Sequence, residues 1–161
     1  MLNLGGLVPE SVVDGPGIRF VVFAQGCPHN CPQCFNAALQ DYAPGKLVTV
    51  QEIVTMLEQY KSHSITFSGG DPFEQVQGFT ELAKMCRTKN FSIWSYTGYT
   101  YEELLEDKQR RLLLQEIDVL VDGRFVIAQK DISLFYRGSS NQRLIDVQAS
   151  LSQGSVVLFD Q

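Results

Sequence analysis

Three closely spaced cysteines carry the chemistry that this sequence predicts most clearly. Cys27, Cys31 and Cys34 follow the spacing C-x3-C-x2-C, which gathers three thiolates around one small centre. An iron–sulfur cube normally takes four protein thiolates. Three would leave one iron open to a ligand from solution, and an open coordination position generally marks a reactive metal rather than a structural one. The spacing therefore favours a cluster with a reactive corner.

Zinc is the alternative that the residues leave open, with Cys86 or His29 as the fourth ligand. Zinc sites usually pair one C-x2-4-C motif with a second pair further along, and this sequence has no second pair. Cys86 falls on the apolar stripe of a predicted helix, where a free cysteine usually belongs to the core. His29 has no partner in the sequence, so we expect a polar loop residue rather than an acid or base.

The segments that must position the cysteines alternate between strand-like and helix-like patterns. Short apolar runs rich in β-branched and aromatic residues are typical of strands buried in a parallel sheet. A capping box at Thr49 and Glu52 marks one helix start. We predict strands at 18–25, 64–68, 91–96, 118–122, 143–147 and 155–159, and helices at 49–60, 74–89 and 100–105, the last resuming through 114. This alternation predicts an α/β fold with a mostly parallel sheet.

Four loops with unusual residues each follow one of these predicted strands. They are the cysteine loop, Ser68–Pro72, Tyr96–Tyr99 and Asp122–Arg124. Because α/β proteins place ligands at the carboxyl ends of their parallel strands, we expect the four loops to form one site. Each loop also has a simpler interpretation alone: the glycine pair 69–70 as a tight turn, and Asp122 with Arg124 as a surface ion pair.

Length and composition predict one globular domain spanning residues 1–161. The chain has 44% hydrophobic and 19% charged residues, which is ordinary for a soluble fold. No apolar run approaches the ~20 residues that a membrane span needs, and we expect no secretory signal. Four cysteines predict free thiols or metal ligands in a reducing cytoplasm. The net charge of −5 argues against nucleic-acid and membrane-surface partners.

The motifs in these loops resemble those of the radical S-adenosylmethionine enzymes, whose signature is the C-x3-C-x2-C spacing. Asp14–Arg19 resembles the entry motif of their glycyl-radical-activating branch, and Gly69–Pro72 resembles that branch's methionine-binding loop. Segments 94–99, 120–125 and 137–143 resemble the subfamily that activates the anaerobic ribonucleoside-triphosphate reductase. The resemblance covers 14 to about 146 and implies a single-domain truncated partial (β/α) barrel.

The resemblance implies an activating oxidoreductase. In such enzymes three cysteines hold a [4Fe-4S] cluster, and the amino and carboxylate groups of S-adenosylmethionine chelate the fourth iron. A flavodoxin-like or other donor supplies an electron, S-adenosylmethionine is cleaved, and the 5′-deoxyadenosyl radical abstracts a glycine hydrogen from the reductase. On matching positions, the resemblance implies the metal ligands Cys27, Cys31 and Cys34 and the cofactor contacts Gly69, Gly70, Asp71, Thr97, Asp122 and Phe35. From the entry motif, the candidates for holding the partner's glycine loop are Asp14, Gly15, Pro16 and Arg19.

Two positions depart from the family's pattern. Gln33 stands where many members carry an aromatic residue against the adenine, and Phe35 is the expected substitute. Asp71 stands where most relatives have Glu, which keeps the charge but shortens the reach by one methylene. Two other functions stay open: activation of another glycyl-radical enzyme such as a formate-lyase, and a small electron-transfer protein whose cluster is only a redox centre.

Overall fold

Strands and helices alternate along most of the chain. A computed structural model describes residues 1–32, 34, 36–42 and 45–160. The strands are β1 (Leu2–Ser11), β2 (Arg19–Ala24), β3 (Lys46–Val48), β4 (Ser64–Gly69), β5 (Ser92–Tyr96), β6 (Val119–Asp122) and β7 (Arg143–Asp146). The α-helices are α1 (Val50–Leu57), α2 (Val76–Thr88), α3 (Tyr101–Glu106), α4 (Lys108–Leu114) and α5 (Val147–Gln153). Within these ranges, no helix is long and apolar enough to cross a bilayer.

An open seven-stranded sheet forms the centre of the molecule, in the order β3-β1-β2-β4-β5-β6-β7. β2, β4, β5 and β6 run parallel, because helical crossovers return the chain to the same end of the sheet. β1, β3 and β7 pair antiparallel with their neighbours at the two sides. The fold is therefore α/β, a partial (β/α) barrel that does not close. The predicted fold class is confirmed, with antiparallel edges added to the parallel centre.

The two faces of the sheet pack in different surroundings: one lies beneath the helices, and the other faces a cavity. Side chains alternate along a strand, so β4 sends Ile65 and Phe67 into the main hydrophobic core beneath the helices. Thr66 of the same strand lies on the opposite face. On β5, Trp94 also lies on that second face and packs in a smaller apolar cluster with Val121. The second face is therefore the concave side of the open barrel, and it lines the cavity described below.

Local capping sets where the helices begin. Thr49 and Glu52 form the predicted capping box at α1, and Thr100 forms a second one with Glu103 at α3. Asp107 then separates α3 from α4, because its extended backbone ends the first helix while its carboxylate accepts the first amides of the second. The short α3–α4 pair brings the chain back to β6 within the length of one crossover.

Most predicted elements are confirmed with small changes of boundary. The predicted strand 155–159 is wrong, since there a single bridge joins Leu158 to Ile145. The sequence did not predict β1, whose Gly5, Gly6 and Pro9 interrupt the usual strand pattern. The short strand β3 and helix α5 were also missed.

Candidate metal centre

A cavity of about 560 Å³ opens at the carboxyl ends of the parallel strands. All four predicted loops contribute to its wall, which confirms that they form one site. The cysteines come from the loop after β2, glycines come from the loops after β4, β5 and β6, and further lining residues come from the segment that follows. The residues that line the cavity include Asp14, Cys27, His29, Cys31, Cys34, Gly69, Gly70, Thr97, Gly98, Arg124 and Arg137.

The cysteine loop follows β2 and is tied to the chain that returns from it. Backbone amides of Gly26 and Cys27 donate to the carbonyls of Leu39 and Gln40, at 2.7 and 3.1 Å. The three cysteines are free and half-buried. Burial, with smaller effects from negative neighbours that include the other two thiols, raises the pKa of the Cys27 thiol to about 12. A metal that binds here must therefore displace a proton from Cys27.

The glycine pair after β4 allows two backbones to approach closely. A Cβ on Gly69 would lie 2.3 Å from the amide nitrogen of Ala24, and Gly69 also has a φ of +110°. A Cβ on Gly70 would lie 2.3 Å from the carbonyl oxygen of Gly26. Only glycine fits at either position without moving backbone. The pair therefore seats the methionine-loop motif directly against the start of the cysteine loop while both residues still line the cavity.

Asp71 lies behind the cavity wall rather than on it. Its side chain is fully buried and accepts hydrogen bonds within the protein. Oδ1 accepts from the amide of Phe73 at 3.0 Å, and Oδ2 accepts from the amide of Gly98 at 2.9 Å. The Thr97 hydroxyl donates to the same carboxylate at 3.0 Å. The predicted contact with the methionine ammonium group stays a prediction; the observed carboxylate joins the loop after β4 to the loop after β5.

His29 joins the cysteine loop to the other three loops. Its Nε2 lies 2.7 Å from Oδ2 of Asp71, and the Nε–H of Arg124 donates to its Nδ1 at 3.2 Å. Its ring meets Tyr99 edge-on with 4.5 Å between centroids, and a Cβ on Gly98 would lie 2.3 Å from the ring. The side chain is only 2% exposed. The sequence analysis treated His29 as an ordinary loop residue, although its position between two cysteines was a signal.

Asp122 and Arg124 do not pair with each other. Asp122 is buried, accepts from the amide of Tyr101 at 2.8 Å, and binds Arg143 with 2.5 Å between Oδ2 and Nη2. This pairing raises the pKa of Arg143 further above its ordinary range. Asp122 lies at a neighbouring depression and not on the main cavity, whereas Arg124 lines both. The surface-pair interpretation is wrong, and the predicted contact of Asp122 with the cofactor stays a prediction.

The entry motif covers the concave face instead of presenting its arginine. Arg19 is 2% exposed and donates to Thr66 Oγ1 at 2.8 Å and to the carbonyls of Ile65 and Ser92 at 2.9 Å. It also lies 5.5 Å from the ring centre of Trp94. The contact of Arg19 with a partner's loop stays a prediction; in the part of the chain that the structure describes, its polar contacts are with β4 and β5 and with the entry motif itself. Asp14, in contrast, lines the cavity.

Segment 137–143 forms the wall opposite the sheet. The side-chain oxygen of Gln142 accepts from the amide of Gly138 at 2.8 Å, and its nitrogen donates to the Gly123 carbonyl at 3.0 Å. The segment is thus closed on itself and fastened to the loop after β6. Arg137 lines the cavity, and its buried Nε has no hydrogen-bond partner among the described residues. An unpaired guanidinium donor at the wall of a cavity that three thiols also line fits a metal cluster whose ligand carries a carboxylate.

Comparison with known proteins agrees with this site. Residues 13–145 match the family model described as a 4Fe-4S single cluster domain. The anaerobic ribonucleoside-triphosphate reductase-activating protein of Haemophilus influenzae is 40% identical over 83% of this chain and 91% of its own. The proteins of that name from Vibrio cholerae and enterobacteria phage T4 are 36% and 33% identical, over 88% and 89% of this chain and 96% and 93% of their own. The chain belongs to the family of anaerobic ribonucleoside-triphosphate reductase-activating proteins.

One solved structure aligns with part of this activating-family protein. QueE from Escherichia coli aligns over 62% of this chain and 53% of its own, with a TM-score of 0.48 and 15% sequence identity.

The sequence also predicted an adenine contact for Phe35 and a place in the core for Cys86. Phe35, expected to contact adenine, and Gln33 beside it lie outside the described residues. Cys86 is 1% exposed in the main core, on the helix-covered face of the sheet. The expectation that Cys86 is a core residue is confirmed, so it is not the fourth ligand of a zinc site. Both nitrogens of His29 are engaged in hydrogen bonds, which also weighs against the zinc interpretation.

Proposed function

We propose that this protein generates a glycyl radical on an anaerobic ribonucleoside-triphosphate reductase by radical S-adenosylmethionine chemistry. One observation carries the proposal: the three thiols of the cysteine loop line a single large cavity, and no fourth cysteine faces it among the residues that the structure describes. A cluster held there keeps one iron for a ligand from solution. The names of the family's other members supply the partner.

In this proposal Cys27, Cys31 and Cys34 hold the [4Fe-4S] cluster. When bound, the cluster supplies the electron that cleaves S-adenosylmethionine to methionine and the 5′-deoxyadenosyl radical, which then takes a hydrogen from a glycine of the reductase. The protein binds, orients and shields these groups. The ligand atoms of Cys27, His29 and Asp71 lie within 4.8 Å of one another. His29 and Asp71 are already hydrogen-bonded, so neither is available as a fourth ligand.

The residues around the cavity suggest how S-adenosylmethionine binds. Gly69 and Gly70 line the cavity without side chains, so a ligand's ammonium group can approach their backbone. Thr97 lies beside them, and the unpaired donor of Arg137 suits the methionine carboxylate. Asp71 and Asp122 are both buried and each fixes a loop through its hydrogen bonds, and their predicted contacts with S-adenosylmethionine remain part of the proposal. A contact of Phe35 with the adenine remains part of the proposal.

The same proposal includes an electron donor, a location and the extent of the domain. A flavodoxin-like or other donor protein would reduce the cluster, and the half-exposed cysteines on a surface loop support its approach. Free thiols that must stay reduced support a cytoplasmic location. The radical enzyme domain would span residues 1–161. Segments 11–18 and 124–142 cover the concave face and would keep water from the reacting groups.

The test is direct transfer of the radical. Chemically reduced, anaerobically prepared protein is incubated with S-adenosylmethionine and the cognate reductase, and electron paramagnetic resonance is recorded. We expect a glycyl radical signal on the reductase and stoichiometric 5′-deoxyadenosine. Cys31→Ala should abolish both. Cys86→Ala, a change of the same type in the core, should leave both within about twofold because it touches no part of the cavity.

The two alternative functions give different results. If S-adenosylmethionine leaves the resonance signal of the reduced cluster unchanged and no 5′-deoxyadenosine forms, the cluster is an electron carrier and the proposal fails. If a formate-lyase acquires the radical while the reductase does not, the chemistry stands and the partner is wrong. Retention of cleavage by Cys31→Ala would refute the ligand assignment.

A further inference from the structure

The cysteine loop has little regular structure to hold it. Asn30, between Cys27 and Cys31, has a φ of +55°, in the left-handed region. Regular backbone contacts fasten the start of the loop at Gly26 and Cys27. The turn that carries Cys31 is held by a side chain instead. The side chain of His29 is only 2% exposed, whereas the cysteines on either side of it are half-buried.

His29 fits a socket whose walls come from three other loops. Asp71 lies at its Nε2, Arg124 at its Nδ1, and Tyr99 packs against the ring edge. Gly98 forms the floor, because any side chain there would overlap the ring. The socket therefore exists only when the loops after β4, β5 and β6 are all in place, and the histidine inserted into it carries the cysteine loop with it.

The hydrogen bonds define the state of the ring. Arg124 donates to Nδ1, so Nδ1 carries no proton and accepts. The ring proton must then lie on Nε2, where it is donated to the Asp71 carboxylate over 2.7 Å. The two hydrogen bonds therefore fix the orientation of the ring, with Nε2 as the donor to Asp71.

We propose that His29 is a positioning residue that holds the cysteine loop ready for the cluster without being one of its ligands. The inference rests on the proposed role of the three cysteines. Its consequence is specific: retention of the cluster depends on the donor at the Nε2 position, and not only on the volume of the ring. Asp71 then has a second task in this chain, as the acceptor that anchors the cysteine loop.

The ring state is tested in the full-length, cluster-free protein under reducing conditions. The chain has two histidines, so nitrogen-15 histidine spectra are simple, and His63→Gln assigns the other signal. We expect the Nε2 of His29 to carry a proton that is donated to Asp71. His63, which is exposed, should show the averaged tautomers of a ring in solvent. An averaged or Nδ1-protonated His29 would overturn the proposal.

The role in positioning is tested by two replacements of similar volume. His29→Gln keeps a donor near the Nε2 position, whereas His29→Leu fills the socket without one. We expect His29→Leu to lose iron to a chelator about 10–100-fold faster than the parent protein, the usual cost of removing a group that orients metal ligands. His29→Gln should recover most of that loss, and His63→Leu should change nothing. The unfolding midpoint in urea is measured for each cluster-free variant.

The outcomes separate this inference from the proposed function. Equal iron loss from the Gln and Leu variants would overturn it, because packing alone would then explain the effect. Iron loss that follows the urea midpoint in every variant would also overturn it. If the parent protein fails to activate the reductase but the spectra and iron retention are as expected, the proposed function fails and the positioning role of His29 stands.

Discussion

Replacement of Arg19 by Met distinguishes a structural arginine from one that holds a partner. Met preserves most of the side-chain length but removes the donors to Thr66, Ile65 and Ser92. Hydrogen bonds from a charged group contribute about 1.5–3 kcal/mol each, so the three losses together amount to roughly 4–9 kcal/mol. The lost bonds destabilise the folded state.

Relief of desolvation works in the opposite direction. Burial lowers the pKa of the Arg19 guanidinium to about 10. A pKa shift of this size means that burial destabilises the charged guanidinium by roughly 3 kcal/mol. Met carries no charge, so the variant avoids this cost. The expected net loss in the free energy of unfolding is therefore about 3 kcal/mol. With a urea dependence near 2 kcal/mol per molar, the unfolding midpoint should fall by about 1.5 M.

The assay is urea unfolding of the full-length protein under reducing conditions, followed by far-ultraviolet circular dichroism. Arg111→Met on the exposed face of α4 is the matched control, and its midpoint should change by less than about 0.3 M. A midpoint for Arg19→Met within the range of this control, with reductase activation lost, would refute our reasoning. It would support the sequence-based prediction that Arg19 contacts the partner.

Three further changes test other parts of the fold. Gly70→Ala should lower the free energy of unfolding in urea by about 2 kcal/mol, because the added Cβ meets backbone atoms. Gly6→Ala is the control, since a Cβ there has no atom within 4 Å and should not destabilise the protein. Equal effects of the two changes would contradict the packing argument. Asp122→Ala should cost about 3–5 kcal/mol in thermal unfolding because Arg143 loses a buried partner, and a loss below 1 kcal/mol would show the pair to be dispensable. Native Cys86 should resist alkylation, because burial raises its pKa to about 12. Because the pKa of Cys86 is higher in the folded state than its ordinary value of 9.0, the buried thiol contributes its full stability below pH 9. Between pH 9 and about 12 the free energy of unfolding should fall by at most about 1.4 kcal/mol per pH unit. An alkaline stability curve that is identical in Cys86→Ala would contradict this.

Short-range patterns made much of the fold predictable. The capping box at Thr49 and the apolar stripe of α2 are local signals, and both are confirmed. β1 was missed because its glycines and proline weaken the pattern, and the strand forms by pairing with β2 and β3. The predicted strand 155–159 has the right composition, but it pairs with β7 only around the single bridge between Leu158 and Ile145, which is too short a ladder to make a strand. Composition can favour a strand, but pairing decides whether it forms.

The sequence by itself determined the three thiols, their spacing and the four loops that follow parallel strands. These follow from residue type and from periods of two and 3.6 along the chain, which need no knowledge of distant contacts. Only the tertiary structure decided which polar groups meet: His29 with Asp71, Arg143 with Asp122, and Arg19 with the backbone of two strands. Those pairings join residues far apart in sequence, and each buried polar group must find its partner wherever the sheet brings one within reach.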